Sequence, residues 1–150
     1  MRPKAKKILF ICDDLMLGGW TSLVALAIEL KKRGNDISFV TLFGLGYNAN
    51  QLRKNNIRVD CIFLKKSNLP FALLRLFLLI ARGKPDIVHT HLHFSDCFGI
   101  VLSYLAGVKN RIVHVHSIKE GYRHKLTMLR HVSYRLASGA IAVSSAAARY

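Results

Sequence analysis

Short continuous apolar runs alternate along the chain with longer segments of helical period. Residues 8–12 are apolar throughout, as a strand buried on both faces requires. A loop carrying Gly18 and Gly19 follows. Thr21 or Ser22 is then placed to cap a helix running to about Lys32. Its apolar positions Leu23, Val24, Leu26, Ala27 and Leu30 form one stripe, and Gly34 suits its C-terminal cap. A second strand is expected over 37–42, a short polar helix over 48–55 and a third strand over 58–63. Pro70 can open the next helix, which should run to about Arg82 and stop at Gly83 ahead of Pro85. Strands at 87–90, 112–115 and 140–143 alternate with helices at 94–106 and 122–136, and Ser144 with Ser145 reads as the cap of one more helix. Such an order predicts an α/β, Rossmann-like doubly wound parallel sheet of about six strands.

The helix expected at 70–82 departs from the single-stripe pattern. It is apolar on nearly every face, with Arg75 as its one interior charge. Its surplus face needs a cover: another domain, a partner, lipid or the core itself. Basic residues flank it at Lys65, Lys66, Arg82 and Lys84, and Phe77 sits midway. Lys65, Lys66, Arg75 and Phe77 are therefore the expected contacts to an anionic membrane surface. The stretch is too short and too interrupted to span a bilayer, which needs ~20 apolar residues. Residues 8–12 are too short for the apolar region of a secretory signal, and Asp13 and Asp14 end them. A cytoplasmic protein, peripheral at most on the inner face of a membrane, is expected.

Composition sharpens this picture. The 150 residues are 51% hydrophobic, enough for one domain with a real core. Lys and Arg number 23 against 8 Asp and Glu, a net charge of +15. That excess implies an anionic partner: nucleic acid, an acidic membrane or phosphorylated substrates. Cys12, Cys61 and Cys97 are odd in number and match no zinc spacing. They read as reduced, with Cys12 and Cys61 buried in apolar runs.

In a doubly wound sheet, ligands sit beyond the carboxyl ends of the strands. Here those ends fall at 13–21, 43–48, 89–96 and 116–122, with Ser144 and Ser145 less clearly placed. Gly18 and Gly19 before a helix let the backbone approach an anion. The spacing is neither a dinucleotide fingerprint nor a Walker loop, and no acid follows the second strand at Thr41-Leu42-Phe43-Gly44, which disfavours a nicotinamide oxidoreductase. His89, His91 and His93 alternate, so on an extended strand three imidazoles would converge. A zinc site is the sharp reading, but no Cys or Asp stands at a ligand-like spacing and Asp96 is the nearest carboxylate. The series is expected to be metal-free, with His89 buried and His91 or His93 facing substrate. His114 and His116 share a second face, with His116 at the rim, where it could bond a hydroxyl or phosphate.

The ordered series of motifs resembles family 4 glycosyltransferases of the GT-B fold. It comprises residues 7–12, Gly18 and Gly19 opening a helix that ends at 30–36, residues 84–91, Ala106-Gly107-Val108, residues 113–117 and residues 140–144. Trp20 departs from the smaller or charged residue expected after the glycines. The resemblance implies two Rossmann-like domains facing a cleft. The N-terminal one binds the acceptor, and the C-terminal one binds the nucleotide sugar with basic residues and a pair of glutamates. It implies transfer of a hexosyl-type sugar with retention, without a divalent metal or other cofactor, in cell-surface polysaccharide or glycolipid synthesis. Carried over, Gly18 and Gly19 approach the donor diphosphate, His116 is catalytic beside the transferred sugar, and His91, His93 and Ser117 meet a glycan or lipid-linked acceptor. Residues 1–150 are then the acceptor-side domain, truncated at its C-terminal end and inactive without the donor half. Two other readings stay open: a non-catalytic membrane-recruiting subunit of a split glycosyltransferase, and a basic nucleic-acid-binding α/β domain. The second lacks a recognition motif or interleaved basic and aromatic residues, so a nucleic-acid partner is not expected.

Overall fold

The computed structural model describes residues 4–16, 20–115 and 124–148. Six strands form one parallel sheet: β1 (Lys7–Cys12), β2 (Asp36–Thr41), β3 (Arg58–Cys61), β4 (Ile87–His91), β5 (Asn110–Val115) and β6 (Gly139–Ala142). Their spatial order is β3-β2-β1-β4-β5-β6. β1 is central, paired along its length with β2 on one side and β4 on the other. Every residue of β1 after Lys7 is buried, which is why its sequence is apolar without alternation.

Two apolar layers cover the sheet. On one face Phe10, Cys12, Ile37 and Phe39 meet helix α1 (Thr21–Lys32) through Leu23, Val24 and Ala27, and α2 (Asn48–Lys54) through Ala49 and Leu52. Phe10 and Phe39 stack with ring centroids 4.8 Å apart. On the other face Leu9, Ile11, Val40 and Val88 meet α3 (Leu69–Gly83) through Ala72, Leu76 and Ile80. Helix α4 (Ile100–Leu105) packs beside α3, and α5 (His124–Leu136) beside α4. A short α6 (Ser145–Ala148) begins after β6, and the Ser144 hydroxyl accepts the Ala147 N–H, a cap of the expected kind.

Several expected boundaries move for physical reasons. Neither Thr21 nor Ser22 caps α1; both lie inside it, and Trp20 precedes the first turn without a side-chain cap. The other end behaves as expected: Gly34 at φ 89° lets its own N–H reach the Lys31 carbonyl and the Asn35 N–H reach that of Leu30, a Schellman closure. β3 stops at Cys61 rather than 63, because Phe63 turns the chain at φ 54°. Lys84, not Gly83, adopts the left-handed conformation that ends α3. The helix expected over 94–106 divides into a π turn at Ser95–Gly99 followed by α4. Gly99 is required there, since a Cβ would lie 2.9 Å from Thr90 Cγ2 on β4.

Helix α3 buries one stripe only. Phe71 is 78% exposed and Leu74 54%. Arg75 is exposed as well, whereas Phe77 is half-buried. No helix among the described residues is long and apolar enough to cross a membrane. The three cysteines are buried and none is in a disulfide.

Candidate functional site

The chain runs β1 to β3 in one direction, then crosses by α3 to β4 on the far side of β1. The carboxyl ends of β1 and β4 therefore diverge into different connections, and the gap between them is where open α/β sheets bind ligands. Asp13, one residue past β1, spans that gap. Its carboxylate accepts the Ser95 N–H at 2.7 Å and the Phe94 N–H at 3.3 Å. It thus caps the helical segment following β4 in the manner of an N-cap, although it comes from another strand 82 residues away in sequence. Burial raises the Asp13 carboxyl to about 6, against the opposing pull of the two backbone donors. Burial also lifts the neighbouring Cys12 thiol well above its ordinary range, helped by Asp13, Asp14 and Asp96, so Cys12 is an inert apolar filler. A second loop is locked against β1: the Asn48 side-chain amide donates to the Leu15 carbonyl at 2.9 Å. Gly46, at φ 64°, lies so close to Leu15 that a Cβ would overlap its backbone.

The histidines occupy the opposite side of this junction from Asp96. Thr90 points to the α4 face, where its hydroxyl donates to the buried Asp96 at 2.6 Å. His89 and His91 point to the other face, in register with Phe10 and Cys12 of β1. The expected third partner, His93, does not join them. Leu92 takes φ 76°, which ends the strand's alternation, and His93 instead packs edge-on against Phe94 at 5.6 Å. The third imidazole comes from β5: His114 is the register partner of His91. Ring centroids lie 4.3 Å apart for His89 and His91, 4.8 Å for His91 and His114, and 5.4 Å for His89 and His114. Trp20, 4% exposed, closes over this cluster with its ring edge-on to His91 at 5.8 Å. His91 is 1% exposed, and His93 is half-buried. The unexpected tryptophan thus has a structural use as the lid of the imidazole layer.

Gly18, Gly19, His116 and Ser117 lie outside the described residues. Their neighbours are placed: Trp20 at the start of α1, and Val115 at the end of β5. Lys65 and Lys66 are exposed just before α3, where the Asn68 side chain accepts the Lys65 N–H at 2.7 Å. Beside α3 runs a groove of about 650 Å³ walled by Phe71, Leu74 and Leu78 and edged by Arg58, Arg75 and Arg82. Arg58 is partnered there by Asp60 at 2.7 Å.

Residues 17–150 match the family described as Glycosyltransferase Family 4. The chain belongs to that family. It is 30% identical over 71 residues to the capsular polysaccharide biosynthesis glycosyltransferase CapH of Staphylococcus aureus, a match covering 47% of this chain and 19% of that protein. The fold is that of Anabaena Alr3699/HepE, solved in complex with UDP, at a TM-score of 0.75 and 19% identity over 94% of this chain and 38% of that one. A UDP-N-acetylglucosamine 2-epimerase shares it too, at a TM-score of 0.64 and 17% identity, covering 95% of this chain and 43% of that one. Sheet architecture is therefore common to more than one chemistry, and membership of the family 4 glycosyltransferases rests on the sequence match. The chain spans less than half the length of each of these relatives.

Proposed function

We propose that this family 4 glycosyltransferase chain supplies the acceptor side of a GT-B enzyme, and that a donor half completes the site across the carboxyl ends of β1, β4 and β5. The observation that carries this reading is the junction of β1 and β4 in a chain of this family, where Asp13 fixes the two strand ends in one geometry. Gly18 and Gly19, which precede α1 in the sequence, are then assigned to the diphosphate of a nucleotide sugar. His116 is assigned the catalytic role toward the transferred sugar. Ser117 and the half-buried His93 meet the acceptor hydroxyls, while His91 supports them from beneath Trp20. Transfer proceeds with retention and without a divalent cation, and the product belongs to cell-surface polysaccharide or glycolipid synthesis. CapH, a capsular polysaccharide enzyme, favours that assignment. Catalysis needs both reactants held together. Residues 1–150 alone are accordingly expected to transfer nothing, whereas the same chain joined to a donor half transfers sugar and keeps its rate in EDTA. Enzyme-like turnover of a nucleotide sugar by 1–150 would disprove the division of labour.

A membrane role has its own support in the exposed Phe71 and Leu74 beside Arg75 and Arg82. With Lys65 and Lys66 they present apolar and cationic groups together, and each cation near an anionic surface contributes about 1 kcal/mol. The enzyme would then work at the cytoplasmic face on a lipid-linked acceptor. Sedimentation with anionic vesicles tests this. Binding that weakens on Phe71→Ser and on raising salt is expected, and a folded protein that ignores such vesicles at low salt rules it out.

A further inference from the structure

The imidazole layer of β4 and β5 has a use that sugar transfer does not require. We propose that His89, His91 and His114 form a site for one borderline divalent transition ion of the zinc class. Each offers a ring nitrogen, and these three atoms all lie within 4.8 Å of one another. The arrangement follows from the sheet itself. Alternation puts His89 and His91 on one face of β4, and parallel register puts His114 level with His91 on the adjacent strand. A tetrahedral zinc ion with nitrogen at about 2.1 Å needs ligand atoms roughly 3.4 Å apart. Rotating the imidazoles about their side-chain bonds closes that gap, turning His89 and His114 out of their parallel stack.

The donor set selects the ion. Imidazole nitrogen suits zinc, copper, nickel and cobalt, whereas magnesium and calcium require oxygen. The nearby carboxylate of Asp96 lies behind β4, engaged by Thr90. Three neutral imidazoles leave a fourth position for water or an anion. His91 is sealed beneath Trp20, but His114 is only half-buried and its β6 neighbour Ile141 is 44% exposed, so an ion enters from the β5–β6 side. This departs from the metal-free expectation for His89, His91 and His93, and the departure rests on His114, which local alternation does not reveal. The site joins β4 to β5; it shares His91 with the layer beneath the acceptor residues, and its ion takes no part in the proposed transfer step.

Chelator-treated chain titrated with Zn²⁺ by calorimetry, and with Co²⁺ by visible absorption, tests the assignment. One ion per chain is expected, with the intense cobalt bands of a four-coordinate site. His91→Gln and His114→Asn each reduce affinity on the order of 100-fold, at least what loss of a supporting partner does, while His93→Gln binds like the parent. Zinc-edge X-ray absorption on the unsubstituted protein gives a readout that no folding defect can imitate: a shell containing three imidazoles. Failure to take up an ion, uptake unchanged by His114→Asn in a folded protein, or a shell with fewer than three imidazoles overturns the proposal.

Discussion

One face of the sheet is built in two ways. Under α1 and α2 it presents Phe10, Cys12, Ile37 and Phe39, an aromatic and aliphatic layer. One strand further, at the same levels, it presents His89 against Phe10 and His91 against Cys12. The rings are of similar size and are comparably buried, and Phe10 touches His89 at 5.4 Å between centroids. Shape is thus conserved across the boundary between β1 and β4, while hydrogen-bonding capacity appears only on the far side. Stability needs nothing polar there, because a buried polar group costs free energy unless it is satisfied. Polar rings in a core-like layer therefore set the β4–β5 half of this face apart from the apolar half under α1 and α2.

This contrast can be broken by substitution. Phe10→Ala should be the most damaging change, costing about 3–5 kcal/mol as an unfilled cavity at the sheet's centre. His89→Ala should cost less, and urea denaturation of both measures the difference. Equal losses would make the imidazole half ordinary core. Asp13 is the next lever. Its folded pKa of about 6 lies above the ordinary carboxylate value of 3.8, so its contribution to stability is fully present below 3.8 and is lost as pH rises through 6. The span amounts to roughly 3 kcal/mol. Stability curves at pH 4 and pH 7 should show this fall in the parent and not in Asp13→Asn. The smallest effect sharpens the comparison most. His91→Phe keeps an aromatic ring but enlarges it in a site that is 1% exposed, so overpacking should cost about 1–3 kcal/mol. The same substitution should weaken ion binding on the order of 100-fold, which calorimetry reads directly.

The central strand β1 was legible as a continuous apolar run and the others as short β-branched or apolar segments, and the parallel, doubly wound sheet followed from their alternation with helices. Residues 69–83 were legible as a helix, but not the face it leaves bare. The 3.6-residue period counts apolar positions without saying which of them meet Leu9 and Ile11. At the site, alternation correctly joined His89 to His91 and failed at Leu92, whose positive φ leaves no trace in composition. His114 and Asp13 act through strand pairing across long stretches of sequence. Their partners are set by register, which hydrophobic pattern constrains only to a face.

The place of β1 in the middle of the sheet has a consequence for the chain while it is being made. One edge of β1 finds β2 within a few tens of residues, but its other edge waits for β4, and the Lys7 N–H meets the Asp86 carboxylate 79 residues later. At ribosomal speeds of about 5–20 residues per second, that edge stays open for roughly 4–16 s. Throughout this interval the nascent protein displays Ile8, Leu9, Phe10 and Ile11 along an unpaired strand, the kind of template on which other chains assemble. Translation rate and holdase chaperones, more than anything in the finished domain, should then govern how much of this protein is recovered in native form.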